Sequence, residues 1–241
     1  MSIERKEAGL MSIAENIREI RERIDAAARS CGRTGGEITL VGASKMNDEA
    51  ACQEAIRAGI DVLGENRVQE MTEKLEKNAY DGAPLHFIGH LQRNKVRQVV
   101  GKVALIQSVG SLELLDEIEK QAAKLALAQD ILLEVNIGGE EAKSGFAPET
   151  LEQAAAYAGE LPHIRVLGLM TIPPVAVEEH GNTPYFEKMH RLFVDINEKM
   201  YDNKLEYLSM GMSGDYEDAI RCGSNMIRVG TAIFGARHYN R

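Results

Sequence analysis

The chain contains no tryptophan, and aromatic residues make up only 5% of its 241 positions. Stacking platforms for bases or sugars are therefore scarce. Positive charge is also short: 28 Lys and Arg stand against 37 Asp and Glu, a formal net charge of −9. A nucleic-acid scaffold needs a basic face to neutralise phosphates, so the balance argues against that class. It leaves room for a small anion held by a few local donors. The three cysteines, Cys31, Cys52 and Cys222, lie far apart with no CxxC pair. A sparse, odd set fits a reducing cytosol rather than a disulfide framework, and no zinc spacing is present. The opening MSIERKEAGLMSIAENIREI has no apolar core of signal-peptide length, and no run approaches the roughly 18 apolar residues of a membrane span. These absences describe a cytoplasmic protein without nucleic-acid or membrane partners.

What is present is alternation. Leu10–Ala28 reads as an amphipathic helix, with Ile13, Ile17, Ile20 and Ile24 three or four apart on one stripe. Gly32, Gly35 and Gly36 stop it. Eight short strand-like runs follow: Ile38–Ala43, Asp61–Gly64, Leu85–Gly89, Ala104–Val109, Ile131–Ile137, Ile164–Thr171, Glu206–Met210 and Met226–Gly230. Helical segments separate them at Asp48–Ala58, Arg67–Lys77, Arg93–Val100, Ser111–Ala128, Pro148–Gly159, Pro184–Tyr201 and Tyr216–Cys222. Strand–helix alternation implies parallel strands with right-handed crossovers. Eight such units predict an α/β fold, a single (β/α)₈ TIM-type barrel with an extra N-terminal helix, over a doubly wound sheet. No linker or charge block splits the chain, so residues 1–241 are read as one domain. The least regular stretch, Pro173–Thr183, reads as a surface excursion after the sixth strand and a candidate lid.

Barrels of this kind hold ligands at the carboxyl ends of their strands. Those ends carry Lys45; Glu65 and Asn66; His90; Ser108; Asn136; Met170 and Thr171; Ser213; Gly230 and Thr231. In ITLVGASK, Lys45 ends an apolar strand in a small-residue turn. Desolvated there, a lysine can become a neutral amine that attacks a carbonyl; equally, it can be a solvated loop residue. After the seventh and eighth strands, Ser213, Gly214, Gly230 and Thr231 offer hydroxyls and free backbone N–H groups suited to a phosphate. The other reading of these glycines is ordinary turns. An amine and a phosphate cradle across one mouth suggest pyridoxal phosphate (PLP). Arg228, two residues before Gly230, could approach the pyridine nitrogen or be an ordinary interior charge. No carboxylate stands out at the strand ends as an alternative partner. His86 and His90 bracket a strand rather than forming HExxH, so no metal site is expected.

The segments ITLVGASK, DVLGENRVQE, LHFIGHLQRNK, LLEVNIGGEEAKSG, LGLMTIPP, LSMGMSGDYEDAI and IRVGTAIFGAR resemble, in order and spacing, the YggS/PROSC family of pyridoxal phosphate homeostasis proteins, from about Ile13 to Arg237. The resemblance implies a barrel similar to the N-terminal domain of alanine racemases, without their dimerising β-domain, and hence a monomer. It implies that Lys45 forms the internal aldimine. Asn66 is a ring-side contact, and Met210 packs beside the ring. Ser213, Gly230 and Thr231 hold the phosphate, and Arg228 lies near the pyridine nitrogen. Lys143 matches a family lysine that is either a second aldehyde-reactive amine or a structural contact. Two departures are visible, Met46-Asn47 after the lysine and Ser213-Gly214-Asp215. The implied function is a PLP carrier or buffer in vitamin B6 homeostasis, meeting recipient PLP enzymes transiently and without strong turnover. A weak racemase-like enzyme is the alternative, with Tyr185 or Tyr207 as candidate second acid/base groups. A phosphosugar-binding barrel without PLP is a third reading.

Overall fold

The computed structural model describes residues 11–140 and 142–235. Leu10 and Arg237, which figure in the sequence reading, lie outside the described residues. Eight strands, β1 (Thr39–Ala43), β2 (Val62–Glu65), β3 (Leu85–Phe87), β4 (Leu105–Val109), β5 (Gln129–Val135), β6 (Ile164–Thr171), β7 (Tyr207–Ser209) and β8 (Met226–Val229), run parallel in chain order. Pairing of β8 with β1 closes the barrel. No predicted strand boundary moves by more than two residues.

The strands are short and nearly all buried because both faces are covered. Alternate residues part company across the barrel wall. Val41, Val62, Leu105, Leu132, Met170 and Met226 form a cluster inside the barrel. Leu40, Leu63, Ile106, Ile131, Leu169, Leu208 and Ile227 join the larger core beneath the helices.

The helices are α1 (Ile13–Ser30), α2 (Glu49–Arg57), α3 (Val68–Glu76), α4 (Leu112–Leu125), α5 (Leu151–Gly159), α6 (Thr183–Tyr201), α7 (Tyr216–Arg221) and α8 (Thr231–Phe234). The extra helix α1 starts at a capping box: the Ser12 hydroxyl accepts from Glu15 N at 3.2 Å, and the Glu15 carboxylate accepts from Ser12 N at 2.8 Å. Its Ile17, Ile20 and Ile24 stripe is buried, as predicted. Asn16 reaches the Ile233 carbonyl of α8 at 2.8 Å, tying α1 to the segment after β8. Asp48 caps α2 and Ser111 caps α4. The segment predicted as an α-helix at Arg93–Val100 is instead a 3₁₀ stretch, Arg93–Gln98. Only Val96 of it is buried and no side chain caps its start, so little favours a full α-turn there. The four-residue α8 was not foreseen.

Between β5 and β6 the register slips. Ile131 pairs with Val166 but Leu132 pairs with Gly168, leaving Leu167 as the extra residue of a bulge. Gly168 then lies against β7 so closely that a Cβ there would sit 1.9 Å from the Tyr207 carbonyl oxygen. Relief requires the β6–β7 ladder to part. We predict that G168A lowers unfolding free energy by about 3 kcal/mol or more in urea; a loss below about 1 kcal/mol would show that β7 yields freely.

Candidate functional site

A cavity of about 870 Å³ opens at the carboxyl ends of the strands. Its wall includes Lys45, Asn66, His90, Ser108, Asn136, Lys143, Ser213, Arg228, Gly230 and Thr231. Six of the seven predicted cofactor-binding residues therefore share one space. Lys45 is half-buried beyond β1 and Asn66 half-buried beyond β2. Gly89, beyond β3, packs on Asn66: a Cβ there would meet the Asn66 carbonyl oxygen at 2.2 Å. Beside the Lys45 turn, since β8 pairs with β1 and Gly230 lies against Ala43, the β7 and β8 loops are joined where Gly230 N donates to the Ser213 hydroxyl at 3.2 Å.

The seventh residue falls elsewhere. Met210 is fully buried in the core outside the barrel, and it is Met212, two residues on, that lines the cavity. Glu65, Met170 and Thr171 also lie off the cavity wall. Tyr185 packs on the outer core and Tyr207 begins β7, at the opposite end of the barrel from the mouth, so neither faces the cavity. Lys143 lines the cavity while its Nζ donates to the Pro173 carbonyl at 3.3 Å and pairs with Glu140. It thus bridges the loops after β5 and β6. The excursion is irregular from 172 to 182 and is anchored by Asn182, which donates to Asp215 at 2.7 Å.

Beneath the cavity a guanidinium is sealed inside the barrel. Arg228 is 4% exposed, and burial pulls its pKa down to about 10. One terminal nitrogen donates to the Ser209 hydroxyl at 2.5 Å and the other to the Thr171 carbonyl at 2.9 Å. A guanidinium can only donate, so Ser209 turns its own proton to Gln107 Oε1, 2.7 Å away. The Gln107 amide nitrogen then faces His86 Nδ1 at 3.0 Å. This order leaves Nδ1 as the acceptor and the ring proton on Nε2. His86 is buried and its pKa falls to about 4, because burial disfavours the imidazolium.

One carboxylate corrects the sequence reading. Glu134, one residue from the end of β5, lines the cavity and is 8% exposed. Its Oε2 has no hydrogen-bond partner. Burial pushes its carboxyl up, while Arg228, His90 and Ser144 oppose the shift. The signal was present in LLEVN as one charge in an apolar run, at the inward phase shared with Leu132. Asn66 Oδ1 is also buried without a partner. A lysine amine, hydroxyls and backbone N–H groups on two adjoining loops, and two unpaired acceptors suit a ligand with an aldehyde, a phosphate and ring polar atoms. The donor set fits PLP.

A closed barrel with one lysine beyond β1 and hydroxyls beyond β7 and β8 defines a class, and comparison with known proteins narrows it. The alanine racemase N-terminal domain model matches residues 10–238. The pyridoxal phosphate homeostasis protein of Aquifex aeolicus is 44% identical over 229 residues, 95% of this chain and 100% of that one. The Escherichia coli K12 protein of the same name is 38% identical over 232 residues, 95% and 98% of the two chains. PipY of Synechococcus elongatus with PLP bound superposes with a TM-score of 0.80 at 28% identity, covering 93% of this chain and 100% of that one. An alanine racemase of Clostridium difficile shares the fold, with a TM-score of 0.71 at 17% identity over 94% of this chain and 58% of its own. The chain belongs to the pyridoxal phosphate homeostasis proteins of the alanine racemase N-terminal domain family.

The pinned neutral His86 has a consequence for acid stability. The unfolded chain takes up its proton below about pH 6.5, but the folded chain only below about 4. Stability from this group is therefore full above pH 6.5 and falls as pH drops through that window, by about 3 kcal/mol in total. H86Q, which can still accept from Gln107, should flatten this part of the stability profile between pH 6.5 and 4. Parallel profiles for the two proteins would show that His86 is protonated in the fold.

Proposed function

We propose that the protein binds pyridoxal 5′-phosphate at the barrel mouth through Lys45 and carries or buffers it in vitamin B6 homeostasis, without strong catalytic turnover. The observation that carries this reading is the shared cavity: Lys45 and the joined Ser213 and Gly230 loops line it together, on neighbouring strands β7, β8 and β1. The relatives named for PLP homeostasis and the PLP-bound PipY support it. When bound, the cofactor supplies an aldehyde that condenses reversibly with an amine, releasing water. Lys45 supplies the amine. Ser213 and Thr231 would receive the phosphate by their hydroxyls, with Gly230 at the same place, its amide now donating to Ser213 and free to turn to the phosphate. Asn66 contacts the ring side with its unpaired Oδ1. Arg228, its two terminal nitrogens already committed, would hold positive charge near the pyridine nitrogen. Met212 takes the place first given to Met210. We read the protein as a cytoplasmic monomer that hands PLP to recipient enzymes in transient encounters. Among the described residues no helix is long and apolar enough to cross a membrane.

A weak racemase-like enzyme is the second reading, and Glu134 is the observation in its favour. It brings a buried carboxyl to the cavity that Lys45 lines. Racemisation needs an acid/base group on each face of the substrate.

Protein mixed with PLP should absorb near about 420 nm, a property of the cofactor chemistry, and borohydride should fix the label on Lys45. K45A should lose both. A colourless wild-type protein would end the PLP reading in favour of a phosphosugar barrel. α-Deuterium exchange of amino acids in heavy water should proceed no faster than with free PLP. A faster rate that E134Q abolishes would establish the enzyme instead.

A further inference from the structure

The loop that presents Lys45 is held from behind by a buried ion cluster. Lys74 of α3 is 6% exposed. Its ammonium donates to the Ser44 carbonyl at 2.8 Å, to Glu65 Oε1 at 2.5 Å and to Glu70 Oε1 at 2.8 Å. These three acceptors use all three of its N–H bonds. Burial alone would pull Lys74 toward neutrality, but the carboxylates prevail and hold it charged. Both carboxylates also reach the loop itself. Glu65 Oε1 accepts from the Ser44 hydroxyl at 2.7 Å, and Glu70 Oε1 accepts from the Met46 amide at 2.5 Å. The carbonyl before Lys45 and the amide after it are thus tied to one ammonium. Directly after them the chain takes a costly conformation, with Met46 in the left-handed region at φ 64°.

Fold stability does not call for this arrangement. Buried ion pairs contribute no more than apolar groups of similar volume. Here the Glu65 carboxylate even leaves Oε2 without a hydrogen-bond partner. Neighbouring positions under α2 and α3 are filled by Cys52, Leu63 and Met71. What the cluster supplies that apolar packing could not is fixed direction: charge-assisted bonds to two specific backbone groups.

We infer that Lys74, with Glu65 and Glu70, is a positioning cluster that aims Lys45 into the cavity and sets its reactivity toward aldehydes. The inference rests on the proposed role of Lys45 as the reacting amine. It concerns Lys45 alone, because Lys143 lines the same cavity without touching the cluster.

Lys143 is therefore an internal control. Wild type, E70A, K74M, E70Q and K74R are treated with PLP and borohydride, and separately with glyoxylate and cyanoborohydride. In each case amine and aldehyde lose water to form an imine, and hydride from the boron reagent reduces it to a stable secondary amine. Peptide mapping then reads the ratio of label on Lys45 to label on Lys143. Loss of one charge-assisted bond should lower that ratio about tenfold in E70A and K74M, with labelling of Lys143 unchanged. E70Q and K74R keep the acceptor or the charged donor and should stay near wild type. A ratio unchanged in E70A and K74M, even with a lowered melting temperature, would make the cluster purely structural and overturn the inference. Equal loss in all four variants would overturn it too. If K74M fails to fold, E70A still decides, since the Glu70 side chain is 20% exposed. If wild-type Lys45 takes glyoxylate but not PLP, the PLP reading fails while the glyoxylate ratio still tests the cluster.

Discussion

A guanidinium enclosed by eight strands is the constraint on which the mouth of this barrel depends. Arg228 cannot shed its charge in the low dielectric of the interior, so its donors must be met there. Meeting them engages Ser209 and the Thr171 carbonyl, and through Ser209 the side chains of Gln107 and His86. Because arginine only donates, the direction of every proton in that chain follows from one residue. The result is a polar layer above the apolar one formed by Val41, Val62, Leu105, Leu132, Met170 and Met226. The apolar layer seals the barrel, and the polar layer gives the cavity a charged floor.

Two adjoining parts of the mouth are made rigid by different means. On the β7–β8 side backbone amides donate to side chains, Gly230 N to the Ser213 hydroxyl and Met212 N to the Asp215 carboxylate. These bonds fix the two loops and leave the Ser213 and Thr231 hydroxyls as the donors an anion would meet. On the β1–β2 side the contacts are ionic, and they brace the peptide groups on either side of Lys45. A covalent but reversible attachment asks for both: a fixed amine and a phosphate site that holds by many modest bonds.

Glu134 gives the cavity a second character. Its side chain lines the cavity with one buried oxygen unpaired, and Arg228 and His90 oppose the neutralisation that burial favours. Carrier and catalyst differ here by whether such a group touches the reacting carbon, which makes one carboxylate the dividing line between the two readings. The racemase likeness, at 17% identity, speaks to the shared barrel alone.

The strand-and-helix order, the closed parallel sheet it demands, the α1 stripe and the positions of Lys45, Asn66, Ser213, Gly230 and Thr231 at strand ends were all legible in the chain. Each depends on periodicity and local chemistry, which act over a few residues. The capping box at Ser12 and Glu15 was equally local. Other features depended on which faces meet. Met210 and Met212 differ by two residues, and only the register of β7 and the turn after it decides which one reaches the cavity. Lys74 reads as one more helix lysine until α3 is laid over the β1–β2 loop, 30 positions earlier in the chain. Glu134 becomes a cavity carboxylate, and Arg228 the head of a proton-ordered chain ending at His86, only when strands far apart in sequence close into one interior. Alternation tells which residues point inward; closure of the barrel decides what each of them finds there.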